Sequence, residues 1–288
     1  MILVTGAAGK TGKAVIAALA AKGQSARAFV RRSEHAAALK GLGAAEVHIG
    51  SFEDGAALVR AARGTRAIYH ICPNVSAHEV DYGRAVIAAA AASGVRRFVY
   101  HSVLHPQIEA MPHHWQKMRV EELLFAAALD LTVLQPTAYM QNILGAWPGI
   151  VAERVFRTPY PVSTRLSLVD LDDVAEAAAA VLTSDGHVGA TYELVGSPPL
   201  TQTEVAAAIT AALGHEVRAE EETIAAWDAR ARAGGMGEYE RATLAAMFAY
   251  YAAHGLIGNP NALAWLIGRA PRDLAHVLRR AAATRPRR

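Results

Sequence analysis

Met1-Ile-Leu-Val-Thr-Gly-Ala-Ala-Gly-Lys-Thr-Gly12 opens the chain, and its reading decides the fold. Ile2, Leu3 and Val4 form a short apolar run without alternation, the pattern of a strand buried on both faces. Gly6, Gly9 and Gly12 follow in a G-x-x-G-x-x-G arrangement, and from Lys13 a helical pattern (Val15, Ile16, Leu19) runs to Gly23. Strand, glycine-rich turn and helix make one half of a dinucleotide site. Gly6 allows the tight turn, Gly9 lets backbone approach a pyrophosphate, and Gly12 lets helix pack on strand. The helix start adds free N–H groups and a positive dipole. The alternative is a glycine turn that merely joins strand to helix. A Walker-type phosphate loop is disfavoured, because Lys10-Thr11 falls inside the triplet without the G-x-x-x-x-G-K-[ST] order.

Outward from this stretch, 288 residues are long for one domain and short for two independent ones. A composition of 52% hydrophobic and 19% charged residues is globular. The formal charge of +3 owes much to Arg279, Arg280, Arg285, Arg287 and Arg288, which read as a frayed, solvated end rather than a nucleic-acid arm. Cys72 is the single cysteine, which excludes an internal disulfide framework and suits a reducing compartment. No signal peptide is expected ahead of a turn that begins at residue 6. The most apolar stretch, Ala85 to Ala92, is far too short to span a bilayer. A soluble, cytoplasmic protein is expected.

Ala26 to Val30 is a second strand, followed by Arg31-Arg32-Ser33. In dinucleotide folds an acid at this point accepts from the ribose 2′-OH, whereas an arginine accommodates a 2′-phosphate. Arg31 and Arg32 stand where an acid would, which points to NADP; the alternative is a pair of solvated surface arginines. Glu46 to Ile49 is a third strand ending in Gly50-Ser51-Phe52-Glu53-Asp54, and Ala56 to Ala62 a short helix. Ala67 to Ile71 is a fourth strand that enters Cys72-Pro73-Asn74. Ligands of open α/β sheets lie outside such strand ends, so this turn is expected along the cofactor. Cys72 reads as a small apolar residue rather than a redox thiol, since nothing local lowers its pKa. Val80 to Ser93 is a long helix closed by Gly94, and the stretch from Val95 to Leu104 carries a fifth strand running into Ser102. Strand and helix thus alternate with short connections, the signature of a doubly wound parallel sheet: an α/β fold of Rossmann type.

Several segments now resemble the NmrA-like atypical short-chain dehydrogenase/reductases. They are TGAAGKTG at 5–12, the Arg31 strand end, GVRRFVYHS at 94–102, HHWQK at 113–117 with VEELL at 120–124, and LQPTAYMQNI at 134–143. The likeness continues through LSLVDLDDVAEAAAAVL at 166–182, YELVGSPPLTQTEVAAAI at 192–209 and WLIGRAPRDL at 265–274. It implies a Rossmann domain, a smaller and mostly helical C-terminal domain, and NADP(H) in the cleft between them. The domains expected are 1–197, with loop 137–165 lining the cleft, and 198–288.

The resemblance also implies which residues meet the cofactor. Along the turn these are Thr5, Gly6, Ala8, Gly9, Lys10, Thr11 and Gly12. Arg31 and Arg32 follow the second strand, Ser51 and Phe52 the third, and Ile71, Cys72 and Pro73 the fourth. His101, Ser102, Lys117 and Pro136 complete the set. In ordinary members of the superfamily a serine positions a carbonyl, a tyrosine passes the proton, and a lysine lowers the tyrosine pKa while holding the ribose. Ser102 and Lys117 match the serine and lysine, but the tyrosine of Y-x-x-x-K falls on His113. His113 or His114 would supply a proton near neutral pH, and Tyr139 is a further phenol, so the candidate catalytic set is His113, Lys117, Ser102 and Tyr139. His101, His105, His113 and His114 lack the spacing of metal ligands and read as polar lining of a cleft wall.

Beyond Pro136, Tyr139 to Asn142 and a loop from Trp147 to Pro161 are expected to line an apolar cleft through Met140, Ile143, Trp147 and Phe156, or to be ordinary core. Asp170 to Asp173 caps a helix to Leu182, and Thr201-Gln-Thr-Glu204 is a capping box. Helices near Thr223–Ala233, Glu238–His254 and Ala270–Ala283 follow. The expected activity is NADPH-dependent reduction of a small, flat, apolar acceptor (quinone, enone or imine). The alternatives are a non-catalytic NADP(H) redox sensor acting through a regulatory protein partner, and an isomerase or lyase. The expected partner is a small-molecule substrate, with neither nucleic acid, membrane nor metal; a homodimer is compatible with the sequence.

Overall fold

The computed structural model describes residues 1–284, so Arg285, Arg287 and Arg288 of the basic tail lie outside the described residues. In chain order the elements begin β1 (Ile2–Val4), α1 (Lys10–Ala21), β2 (Ala26–Val30), α2 (Ala36–Gly41), β3 (Ala44–Ile49), α3 (Gly55–Ala62), β4 (Ala67–His70), α4 (Glu79–Ser93), β5 (Arg97–His101), α5 (Pro112–Phe125) and β6 (Asp130–Pro136). There follow β7 (Ala138–Tyr139), α6 (Gln141–Gly145), α7 (Trp147–Glu153), β8 (Val155–Thr158), β9 (Arg165–Leu166), β10 (Leu168–Val169), α8 (Leu171–Thr183) and β11 (Thr191–Leu194). The chain ends with β12 (Leu200–Thr201), α9 (Gln202–Leu213), β13 (Arg218–Glu221), α10 (Ile224–Ala233), α11 (Glu238–His254), α12 (Asn261–Ile267) and α13 (Leu274–Ala283).

The seven-stranded sheet has the order β11-β6-β5-β4-β1-β2-β3. From β3 through β6 every pairing is parallel, with Ile2 beside Ala26 on one side and Ala67 on the other. Strand order therefore reverses between β1 and β4, and ligands of such sheets bind outside the strand ends at this point. Ile2, Leu3 and Val4 are buried on both faces, as their unbroken apolar run requires. On one face Leu3, Phe29, Ile68, Phe98, Leu131 and Val133 join helix residues such as Leu58, Val86, Val120 and Leu124 in a single cluster. Each large side chain removed from water there contributes roughly 1.5–3 kcal/mol.

Two compact units emerge from this chain. The first comprises Met1–Glu109, His114–Gln135 and Val174–Tyr192; the second comprises Ala110–His113, Pro136–Asp173 and the chain from Glu193 onward. They interleave, whereas the sequence suggests one boundary after residue 197. The reason is strand pairing over long sequence distance. Arg218 to Glu221 lie parallel to Val155 to Thr158, and Leu200-Thr201 pair antiparallel with Leu166-Arg165. The expected loop from Trp147 to Pro161 thus holds a helix and a strand, α7 and β8.

Within the second unit the Asp170–Asp173 segment is a clasp. Asp173 is fully buried and accepts from Arg269 Nη2 at 2.6 Å, from the Arg272 backbone N–H at 2.6 Å and from the Arg272 guanidinium. Asp172 takes Arg280 Nη1 at 2.6 Å. Arg280 is therefore ion-paired, not part of a loose basic end. The last helix starts at Leu274 rather than Ala270, capped by Asp273, whose carboxylate accepts His276 N–H at 2.7 Å. The Thr201–Glu204 capping box forms as the sequence indicates. Among the described residues no helix is long and apolar enough to cross a membrane.

Candidate functional site

The site in the first unit begins with the turn between β1 and α1. Gly6 has φ +59°, and a Cβ there would stand 2.5 Å from Ile71 O, so both conformation and space demand glycine. A Cβ on Gly12 would lie 2.5 Å from Gly6 O and 2.6 Å from Ala7 Cα; here helix α1 presses against its own entry turn. That fit lets the helix begin at Lys10, three residues earlier than its apolar pattern suggests. Gly9 differs: a Cβ on it would meet only Gly6 O, at 3.3 Å. Gly9 is also the N-cap, a residue with no side chain to cap the helix. Gly9 and Lys10 are exposed here and Ala8 is half-buried. A helix start that follows an open glycine fits the phosphates of a nucleotide.

Around the turn, the expected residues divide. Thr5 is buried, its Oγ1 2.8 Å from His70 Nδ1 and accepting the Ile71 N–H at 3.1 Å, so its hydroxyl is spent inside the sheet. Arg31, at the end of β2, is exposed and makes no hydrogen bond or ion pair among the described residues. Arg32 is paired with Glu34 at 3.1 Å. Of the two arginines, Arg31 is the one outside an ion pair, its charge felt by Glu53. Phe52 stacks on Tyr82 at 4.9 Å and meets Phe29 edge-on at 6.0 Å. Ser51 Oγ accepts the Glu53 N–H at 3.3 Å. Tyr82 donates to Glu53 at 2.5 Å, and this bond holds the Glu53 carboxyl below the usual range. Ile71 backs Gly6, and Cys72 and Pro73 continue past the switch point. Burial pushes the Cys72 thiol up, which makes it inert, as a small apolar strand-end residue should be.

Behind β5 lies a second arrangement, which sequence reasoning did not anticipate. Helices α4 and α5 approach closely where Gly83 faces Val120, whose Cγ1 would be 2.9 Å from a Cβ on Gly83. One turn earlier on each helix stand Glu79 and Lys117, 0% and 5% exposed. Lys117 Nζ donates to Glu79 Oε1 at 2.9 Å and to His101 O at 3.2 Å, and lies 5.4 Å over the Tyr100 ring. The Tyr100 hydroxyl donates to the same Glu79 oxygen at 3.0 Å. Ser102 Oγ donates to Glu121 Oε1, and Gln135 Nε2 donates to both Glu121 oxygens at 3.0 and 3.1 Å. Burial raises the Glu121 pKa against these stabilising bonds.

Ser102, expected to position a carbonyl, has its hydroxyl committed to a buried carboxylate. His101 and His114, expected to line a cleft wall, are buried instead. His101 Nδ1 lies 2.5 Å from the Tyr69 hydroxyl, and His114 Nδ1 lies 3.3 Å from His105 O. Loss of solvation lowers their pKa values to about 3 and about 4, so both are neutral at pH 7. Apolar spacing along α5 could not reveal this, because its buried face carries His114, Lys117 and Glu121 beside Val120 and Leu124. His113, Pro136 and Tyr139 belong to the second unit; the first unit brings together the glycine turn, Ile71, Cys72, His101, Ser102 and Lys117.

A family model described as the NmrA-like family matches residues 1–278. A (4-alkanoyl-5-oxo-2,5-dihydrofuran-3-yl)methyl phosphate reductase from Streptomyces griseus is 37% identical over 224 residues, 77% of each chain. The crystal structure of an NADPH-dependent quinone oxidoreductase from Escherichia coli, complexed with NADPH, superposes with a TM-score of 0.86 at 28% identity. That match covers 96% of this chain and 98% of the other. The crystal structure of NmrA, a negative transcriptional regulator, in complex with NAD reaches a TM-score of 0.81 at 19% identity over 96% of this chain and 94% of its own. This last is a likeness of fold alone.

Proposed function

The chain belongs to the NmrA-like family, and we propose that it is an NADPH-dependent oxidoreductase that reduces a small apolar acceptor of the quinone, enone or imine type. The start of α1 would hold the pyrophosphate, and Arg31 would take the 2′-phosphate. The strand ends of β4 and β5, with Lys117 at the carboxyl end of β5, would hold the nicotinamide half. When bound, the cofactor supplies a hydride.

The observation that carries the choice of acceptor is the commitment of Ser102 to Glu121 and of Lys117 to Glu79, with a histidine where the superfamily places tyrosine. An isolated ketone that accepts hydride becomes a localised alkoxide and needs a positioned acid. A quinone or enone spreads the same charge over its conjugated system and takes its proton from water afterwards. A site whose serine and lysine are held by buried carboxylates suits the second kind. His113 and Tyr139 are the remaining candidate contacts to the acceptor. A single cysteine and dependence on NADPH suit the cytoplasm.

Purified protein, NADPH and a panel of quinones test this reading through loss of reduced-nicotinamide absorbance. Turnover with at least one quinone is expected; no consumption with any acceptor would refute it. The same committed side chains favour a second reading, an NADP(H) sensor with a protein partner. It predicts no turnover, together with unequal affinity for NADP⁺ and NADPH.

A further inference from the structure

We propose that Glu79 is a positioning residue, which from α4 holds the Lys117 ammonium at the carboxyl end of β5 as a fixed cation for the nucleotide. The inference rests on the reading of this unit as an NADPH site. No motif that marks the fold includes Glu79, and its role emerges only from the packing of two helices.

The pair is sealed. Lys117 Nζ bonds Glu79 Oε1 at 2.9 Å and His101 O at 3.2 Å, two of the three donors an ammonium offers. Tyr100 braces the same carboxylate oxygen from β5 at 3.0 Å. Buried ion pairs are weak devices for stability, since desolvation cancels most of the Coulombic gain. The two buried glutamates beside this cluster illustrate the point. Glu121 has both oxygens satisfied, by Ser102 and Gln135, as a structural carboxylate should. Glu79 Oε2 is buried with no donor among the described residues, so Glu79 is an expensive acid whose clear service is to the lysine.

The other groups facing Lys117 do not substitute for it. His70 on β4 and His101 on β5 are lowered to about 3, and His114 on α5 to about 4, each mainly by burial, so all are neutral. Burial pushes up the Tyr100 phenol and the Cys72 thiol, leaving both uncharged. Glu121 is occupied by Ser102 and Gln135. Glu79 is the carboxylate the ammonium touches, and it fixes the place of the lysine.

Calorimetric titration of the full chain with NADPH across neutral to alkaline pH, paired with thermal melting, tests the proposal on Glu79→Gln, Glu79→Asp and the double variant Glu79→Leu/Lys117→Met. Glu79→Gln should weaken NADPH roughly tenfold, the scale of one charge-assisted hydrogen bond. Its affinity should fall further as pH rises, because a buried ammonium without a counter-charge gives up its proton more readily. Glu79→Asp should recover part of the loss. The double variant removes both charges, so melting should recover while affinity does not. A double variant that binds NADPH as tightly as the wild type overturns the proposal, and decides the matter should Glu79→Gln fail to fold. So does a Glu79→Gln protein with unchanged affinity and pH profile. A wild-type chain that binds no NADPH refutes the reading of the site itself.

Discussion

The turn after β1 and the cluster behind β5 belong to one unit and are built in opposite ways. The turn works by leaving side chains out: Gly6 and Gly12 admit no Cβ, and Gly9 puts no side chain at the helix start. The cluster works by crowding them in, with two carboxylates, a lysine, a serine and a glutamine holding one another away from water. Backbone recognition needs no charge and tolerates almost no substitution. A buried polar network tolerates conservative change but depends on pH and on every partner being present.

The largest effect that would break this contrast is at Gly12. A Gly12→Val side chain would be forced onto the Gly6 carbonyl and Ala7 Cα, backbone atoms that cannot step aside. Calorimetry should detect no NADPH binding, a loss of more than about a hundredfold given the strain of overpacking; near-normal affinity would mean the turn is only a connector. Acid probes the cluster. The folded-state pKa values of His70, His101 and His114 lie at about 3, about 3 and about 4, below the unfolded value of 6.5. The folded state therefore binds fewer protons between these limits, and stability is lost as pH falls below 6.5. Three neutral histidines cost on the order of 5 kcal/mol by about pH 5, measurable by urea unfolding at stepped pH. A flat profile would place these rings in water.

Smaller effects sharpen the comparison. Arg31→Ala should weaken NADPH roughly tenfold and leave NADH unchanged, because only the 2′-phosphate loses a partner. Equal losses for both nucleotides would assign Arg31 elsewhere. The smallest change is expected from Ser102→Ala: turnover of a quinone should move by less than about threefold, where loss of a group acting in proton transfer costs about a hundredfold or more. A drop of that size would return Ser102 to the chemistry and free it from Glu121.

What could be read without coordinates follows the same division. β1, the glycine turn, β2 and the Thr201 capping box are local: residue type and spacing decide them, and the structure places them within a few residues of expectation. The doubly wound sheet followed from their alternation. The pairing of β8 with β13 joins segments some 60 residues apart in sequence and shows no local signal, so the interleaved units were not legible. Arg31 was readable at its strand end. Its release from ion pairs, and the capture of Arg32 by Glu34, were not. Nor was the fate of Ser102 and Lys117, since Glu79 and Glu121 look like ordinary solvated helix acids until α4 and α5 close over them at Gly83 and Val120.

On the proposed reading the nucleotide rests on the glycine turn, and the acceptor is reduced without a proton from the side chains behind β5. A single turnover of bound NADPH by a quinone, followed in water and in deuterium oxide over a range of pH, tests it most directly. The account predicts the same hydride-transfer rate in both solvents and no dependence on pH through neutrality. A rate that slows severalfold in deuterium oxide and follows a titrating group would contradict it.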